Sequence, residues 1–306
     1  MNSKLPLLSW GARVSGDRAC ISAHLNQFAE AGIHRLNLDV SNVRRCWEEP
    51  GFGTLLRKCA DEAGLDIFDV HAPHGSIESL GYPVKEDQMF AVDSIKKSIA
   101  AASELGARTV TVHTSRTLLT GERAPGGVEY PSVDLPRAKS CICRQLDLLL
   151  PCAEKMQVVI AVENLFLPSS TGDFLNTVIK EYDSAYLGYC YDSGHALLLE
   201  DFPGKNFEDI AGWIRCGWEN DCVIPQGSQL DAMLENIVTC HLHDNNGIGD
   251  LHVLPGLGIA DWKNIVKKLE TAPRLISIQS EIKAYDTAEV SLEEQLDSFK
   301  QAGFSL

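Results

Sequence analysis

No run of about 18 apolar residues, the length a spanning helix requires, occurs in this chain. Its opening stretch, MNSKLPLLSWGARVSG, carries neither a long apolar segment nor an Ala-x-Ala cleavage pattern. The sequence therefore reads as a soluble, cytoplasmic protein with no membrane partner. Cations are scarce as well, with 27 Lys and Arg against 42 Asp and Glu and a formal net charge of −15. Phosphate-backbone binding depends on clustered cations, so nucleic acid is not an expected partner. The ten cysteines show no metal-finger spacing: Cys46, Cys59, Cys152, Cys190, Cys216, Cys222 and Cys240 are scattered, and Cys141 and Cys143 lie two apart in a helical-looking segment. Side chains at i and i+2 of a helix diverge, so neither a bridge nor a shared metal is expected there; reduced thiols acting as small hydrophobes are expected. Also missing is any G-x-G-x-x-G, the usual mark of an open doubly wound sheet that binds dinucleotides.

What is present is a chain of 306 residues, 44% hydrophobic, long enough to bury a sizeable core as one domain over 1–306. Eight short β-type runs recur, at residues 5–10, 35–40, 66–72, 108–114, 158–165, 187–192, 237–244 and 275–282. Helix-compatible stretches include 21–31, 53–63, 89–105, 137–155, 174–181, 263–271 and 292–301, and Gly32, Gly64 and Gly106 close three of them. Strands alternating with helices imply a parallel sheet, and eight such units predict an α/β fold of the closed (β/α)8 TIM-barrel type, ahead of an open sheet. Two connections are long: 116–136, rich in Gly and Pro, and 197–234, which carries Trp213 and Trp218. On a barrel such loops are candidate lids over the active site, with a plain surface excursion as the alternative.

Side chains alternate faces along a strand, so each run divides into an odd and an even set. In the fourth run Val110 and Val112 oppose Thr109, Thr111 and His113; in the eighth Ile276, Ile278 and Ile282 oppose Ser277, Gln279 and Glu281. The apolar set must meet the helices, which turns the polar set into the barrel. The same division sends Asn37, Asp39, Asp69, His71, Glu163, Asp192, Thr239, His241 and His243 inward. Each polar set reaches or adjoins the carboxyl end of its strand, where barrel enzymes keep their catalytic residues. His71, His74, His113, His195, His241, His243 and His252 fall at or just beyond strand ends, whereas His24 and His34 occupy ordinary helix and loop positions. Buried carboxylates and imidazoles are costly unless paired or coordinated, and one cation would resolve such a convergence.

The densest signals are Val162-Glu163-Asn164, Tyr191-Asp192-Ser193-Gly194-His195, and His241-Leu242-His243-Asp244-Asn245 running on to Asp250-Leu251-His252 and Asp261-Trp262. Each has a bland counterpart: a salt-bridged Glu, an Asp helix cap beside a surface His, a satisfied core histidine. One bland counterpart explains one residue, not the set. Glu163 and Glu281 belong to the fifth and eighth runs and could flank a small ligand; paired carboxylates on a divalent metal suit removal and return of a proton beside a carbonyl.

These residues resemble the xylose isomerase-like TIM-barrel superfamily, which holds sugar isomerases and epimerases, inosose-processing enzymes and endonuclease IV. The resemblance covers essentially the whole chain. It implies a metal site of Glu163, Asp192 with His195, His241 with Asp244, and Glu281, with Glu163 and Glu281 as the acid/base pair. The multi-zinc centre of endonuclease IV uses further ligands, whose counterparts here would be His71, His113, His195, Asp250 and His252. The substrate-binding Arg of the sugar 3-epimerases is missing, for Gly247 and its neighbours stand there, so substrate recognition must differ. The resemblance thus implies a divalent-metal-dependent isomerase or epimerase of a sugar, keto-sugar or cyclitol, with a small carbohydrate as partner. A phosphodiester hydrolase is the rival, and a non-catalytic sugar- or metal-binding barrel the third reading. Three carboxylates and one imidazole favour Mn2+ or Mg2+, extra histidines pull towards Zn2+, and Co2+ would also serve. Whether the chain forms a homo-oligomer stays open.

Overall fold

The computed structural model describes residues 5, 6, 8–75, 77–82, 84–114, 134–212, 214, 218, 224–282 and 290–305. Eight parallel strands close into a barrel in sequence order, β8 pairing back onto β1. They are β1 (Leu8–Ala12), β2 (Arg35–Leu38), β3 (Asp66–His71), β4 (Thr109–Val112), β5 (Val159–Glu163), β6 (Leu187–Asp192), β7 (Ile237–Leu242) and β8 (Ile278–Ser280). The helices are α1 (Arg18–Glu30), α2 (Val40–Glu48), α3 (Phe52–Ala63), α4 (Lys85–Leu105), α5 (Leu135–Met156), α6 (Gly172–Ile179), α7 (Ser193–Leu199), α8 (Ser228–Met233), α9 (Trp262–Leu269) and α10 (Leu292–Gln301). The chain is therefore a (β/α)8 barrel, as its alternating pattern predicts. None of the described helices is long and apolar enough to cross a membrane.

Local chemistry sets the element boundaries. Asp17 caps α1 by accepting from Cys20 N, and Ile21, Leu25 and Phe28 form the buried stripe at helical spacing. Gly64 and Gly106 end α3 and α4 in the left-handed conformation, which glycine adopts without steric cost. The outward faces of the strands build the core with the helices: Val110, Val112, Ile278 and Ile282 are all buried there. Trp10 of β1 meets Phe299 of α10 edge-on at 5.5 Å, and Trp262 and Phe304 extend that aromatic cluster.

Most strands are shorter than their β-type runs, because the chain leaves the sheet once it reaches the mouth. Asp39, expected on an inward strand face, instead caps α2, accepting from Asn42 N at 3.0 Å and from the Ser41 hydroxyl. Asp192 ends β6 and also caps α7. The short helices α2 and α7 thus begin directly at the ends of β2 and β6. Cys141 and Cys143 both lie in α5 as free thiols. Cys216, Cys222, Trp213 and nearly all of connection 116–136 fall outside the described residues.

Candidate metal centre

Four side chains meet at the carboxyl end of the barrel. Glu163 ends β5, Asp192 ends β6, His241 is the penultimate residue of β7, and Glu281 directly follows β8. Each offers a ligand atom within 4.8 Å of the others. His241 Nδ1 lies 3.2 Å from Glu281 Oε2, 3.5 Å from Glu163 Oε2 and 3.9 Å from Asp192 Oδ2. Glu163, Asp192 and His241 are buried and Glu281 is half-buried. The His241 Nδ1 and Glu281 Oε2 atoms face each other without an aligned hydrogen bond, and His241 Nε2 makes none either. Buried polar atoms are rarely left so. A donor set of three carboxylates and an imidazole around such orphaned atoms fits a hard divalent cation.

A second group surrounds Glu163. His113 Nε2 lies 2.9 Å from its Oε2, His71 Nε2 3.4 Å from the same oxygen, and His195 Nδ1 3.1 Å from its Oε1. His252 Nδ1 donates to the Glu281 carbonyl at 2.7 Å, which leaves Nε2 facing Asp250 Oδ1 at 3.1 Å. That nitrogen needs either a proton or a cation to face a carboxylate. His252 is held at φ +51, a conformation few non-glycine residues adopt. Eight of the nine side chains singled out from the sequence line one cavity of about 420 Å³: His71, His113, Glu163, His195, His241, Asp250, His252 and Glu281. Asp192 is buried beside it.

The electrostatics follow from this crowding. Burial pushes the Glu163 carboxyl up, but His113 and His241 outweigh it and hold it well below the usual carboxylate range. Glu281 is held low in the same way by His241 and His252. Burial pulls His195 and His241 down, yet Asp192 and Asp250 in one case, and Cys190, Glu281 and Glu163 in the other, raise them well above an ordinary imidazole. Protons on these rings stand where the charge of a cation would. His74, partly open to solvent with its ring 4.2 Å from that of His113, is lowered to about 3 by desolvation within the cluster and by His113 and His71.

Several side chains have duties that the sequence did not reveal. Asn164 holds the end of β6, accepting from Asp192 N at 2.7 Å and donating to Asp192 O at 3.0 Å. Asp244, paired with His241 in the expected ligand set, is committed elsewhere: its carboxylate accepts from Gly256 N, Ala260 N and Trp262 Nε1. Those bonds fold the loop that returns Asp250 and His252, so Asp244 shapes the site without entering it. His243 is the residue that parity pointed to and the ligand set omitted. Its Nε2 donates to both Asp192 oxygens, at 3.1 and 3.2 Å, and its ring stacks on His252 at 3.8 Å. Connection 197–234 contributes support: Leu198, Leu199, Ile210 and Ile214 pack with Leu165 and Phe166, and Trp218 Nε1 donates to Phe166 O at 2.9 Å. Phe166 in turn lines the cavity and meets the His195 ring edge-on.

Fold and site together define a (β/α)8 barrel whose strand ends gather carboxylates and imidazoles into one candidate metal centre. The chain belongs to the xylose isomerase-like TIM barrel family, whose sequence profile matches residues 28–302. It is 29% identical over 267 residues to the uncharacterized protein y4fM of Sinorhizobium fredii, covering 80% of this chain and 75% of that one. Its fold is similar to that of 3-keto-D-glucoside 4-epimerase from E. coli, 15% identical with a TM-score of 0.67 over 97% of this chain and 98% of the other. It is similar too to the IOLI protein solved with a zinc atom, 14% identical with a TM-score of 0.64 over 96% of each chain.

Proposed function

We propose that this protein is a divalent-metal-dependent isomerase or epimerase of a keto-sugar or cyclitol. The observation that carries the reading is the set of Glu163, Asp192, His241 and Glu281, with ligand atoms within 4.8 Å and no aligned hydrogen bond at either His241 nitrogen. These four would hold the ion, Mn2+ or Mg2+ by their oxygen-rich set, with Zn2+ favoured if the surrounding histidines join. When bound, such an ion polarises the substrate carbonyl and stabilises the negative charge that develops on it. Glu163 and Glu281 come from strands on either side of β6 and β7, and so can face a substrate from two directions. One carboxylate takes the proton from the carbon beside the carbonyl; the other, protonated, returns one. Their depressed pKa values leave both carboxylates ionised at rest, the form a base requires, so the one that returns the proton first gains it from solvent. Phe166 and Leu165 give the cavity an apolar wall that limits water around the reacting carbon. Membership of the family and likeness in fold to a sugar epimerase support a carbohydrate substrate.

A second reading has its own observation. His71, His113, His195, Asp250 and His252 extend the set to nine, and Glu163 turns Oε2 towards His71, His113 and His241 and Oε1 towards His195, as a bridging carboxylate would. A multi-zinc phosphodiester hydrolase needs such an array. Elemental analysis of protein purified without chelator separates the two. About one ion per chain, lost in Glu281→Gln and kept in His71→Ala, together with deuterium uptake from D2O into a keto-sugar, supports the isomerase. Two or three ions, one of them lost in His71→Ala, with no exchange into any sugar, would select the hydrolase. Metal-free protein would sink both.

A further inference from the structure

Below the candidate ligands the barrel interior is polar, where barrels are usually filled by branched apolar side chains. Asp69 of β3 is fully buried there, and its Oδ2 accepts from Thr239 Oγ1 at 2.8 Å and from Gln279 Nε2 at 2.9 Å. Thr239 accepts in turn from Ser277 Oγ at 2.7 Å. Because Oδ2 is the acceptor in both bonds, the Gln279 amide can turn only its nitrogen downward. Its Oε1 is left on the cavity side with no donor among the described residues. Across β1, Asn37 also lines the cavity; its Oδ1 is sealed from it, which leaves the amide nitrogen as the polar atom open to a ligand. Gly11, register partner of Asn37, lies between them and presents no side chain, so the cavity continues over β1. The candidate metal ligands all come from β3 to β8 or the loops after them, leaving this β8–β1–β2 wall free for another task.

We propose that this wall is a polyol subsite. Gln279 Oε1 accepts from, and the Asn37 amide nitrogen donates to, hydroxyls at the substrate's end remote from the reacting carbon. Asp69 acts as a positioning residue that fixes the Gln279 amide. The assignment rests on the carbohydrate reading above and narrows it to substrates with distal hydroxyls. A hydroxyl both donates and accepts and so matches this pair of amides, whereas a ligand lacking it leaves the Gln279 oxygen unpaired, a loss that can reach several orders of magnitude.

The test is calorimetric titration of the metal-loaded protein with D-fructose, D-tagatose and dihydroxyacetone, the last bearing the keto group without the distal chain. Gln279→Met is expected to weaken ketohexose binding about tenfold or more, while dihydroxyacetone affinity and metal content stay unchanged. Asp69→Asn frees the amide to flip and should cause a similar loss, with Asp69→Asn/Gln279→Met no worse than Gln279→Met alone. Should Asp69→Asn fail to fold, the near-isosteric Gln279→Met still decides. Wild-type ketohexose affinity in Gln279→Met, an equal loss for dihydroxyacetone, or additivity of the two changes would overturn the subsite. Ketohexose binding without deuterium exchange would overturn the isomerase reading and leave the subsite standing. Failure of the wild type to bind either ketohexose would overturn both.

Discussion

A Cβ at Gly194 would land on the His243 ring, so the absence of one side chain lets His243 reach Asp192 at all. Partners that orient a metal ligand commonly matter about 10- to 100-fold in metal affinity. Gly194→Ala is therefore expected to weaken metal binding by about that factor in a chelator competition, and to cost roughly 1–3 kcal/mol of stability through overpacking. An unchanged affinity would show that Asp192 needs no such partner. Charge on the same residues gives a pH signature. Glu163 and Glu281 have depressed folded-state pKa values, so their contribution is present above the unfolded value of about 4.3 and is lost as pH falls through the folded ones. His195 and His241 are raised, so theirs is complete below about 6.5 and fades as pH climbs towards the folded values. Chelator-stripped protein should accordingly melt at falling temperature as pH rises beyond about 6.5. Metal-loaded protein should not, because the ion replaces those protons and binds more tightly as they leave. Parallel melting curves for the two forms from pH 5 to 9 would refute this exchange.

The loop after β7 behaves as an element in its own right, knotted on Asp244. Its carboxylate meets four donors, the backbone N–H groups of Asn245, Gly256 and Ala260 and the Trp262 indole, and Gly258 has no room beside it for a side chain. Asp244→Asn turns an NH2 against some of those donors, and leaving one or two buried groups unsatisfied costs on the order of 3 kcal/mol. Faster amide exchange at Gly256 and Ala260 is expected, with loss of the Asp250–His252 arm while Glu163, Asp192, His241 and Glu281 keep their ion. Retained protection would mean that the loop is held by its apolar contacts instead. This knot also marks the limit of what the sequence discloses. Alternation along single strands was enough to orient Thr109, Thr111, Gln279 and Glu281 and to place the histidines at one rim, because that information is local. The role of Asp244 was not legible, since an acid following a metal-type histidine looks the same whether it ligates or ties a loop. The start of α2 was hidden for a similar reason: Asp39 has the parity of a strand residue and the chemistry of a helix cap. Asp69 bonds Thr239 and Gln279 across 170 and 210 residues, and only closure of the barrel brings them together.

Taken whole, the molecule is an anion whose cavity gathers carboxylates and imidazoles, and the two features bear on different partners. A net charge of −15 raises the local concentration of divalent ions and repels polyphosphates. Duplex DNA carries a charge about every 1.7 Å, and a protein contacting six to ten phosphates loses roughly 10³–10⁵ in affinity between 50 and 200 mM salt. Such contacts require Lys and Arg on one face, yet those residues are outnumbered 27 to 42. Many of the described ones are engaged in surface pairs, Arg18 with Glu62, Arg44 with Glu78, Lys139 with Glu181 and Lys268 with Asp231 among them. Metal-loaded protein is therefore expected to leave a labelled abasic-site duplex unbound at 50 mM salt, as read by fluorescence anisotropy. Binding that weakens steeply with added salt would show that a cationic face exists despite the overall charge, and with two or three ions per chain it would move the assignment to the hydrolase. Salt-independent silence towards DNA, combined with affinity for ketohexoses, would leave the cavity wall at Asn37 and Gln279 as the part of the protein that chooses its substrate.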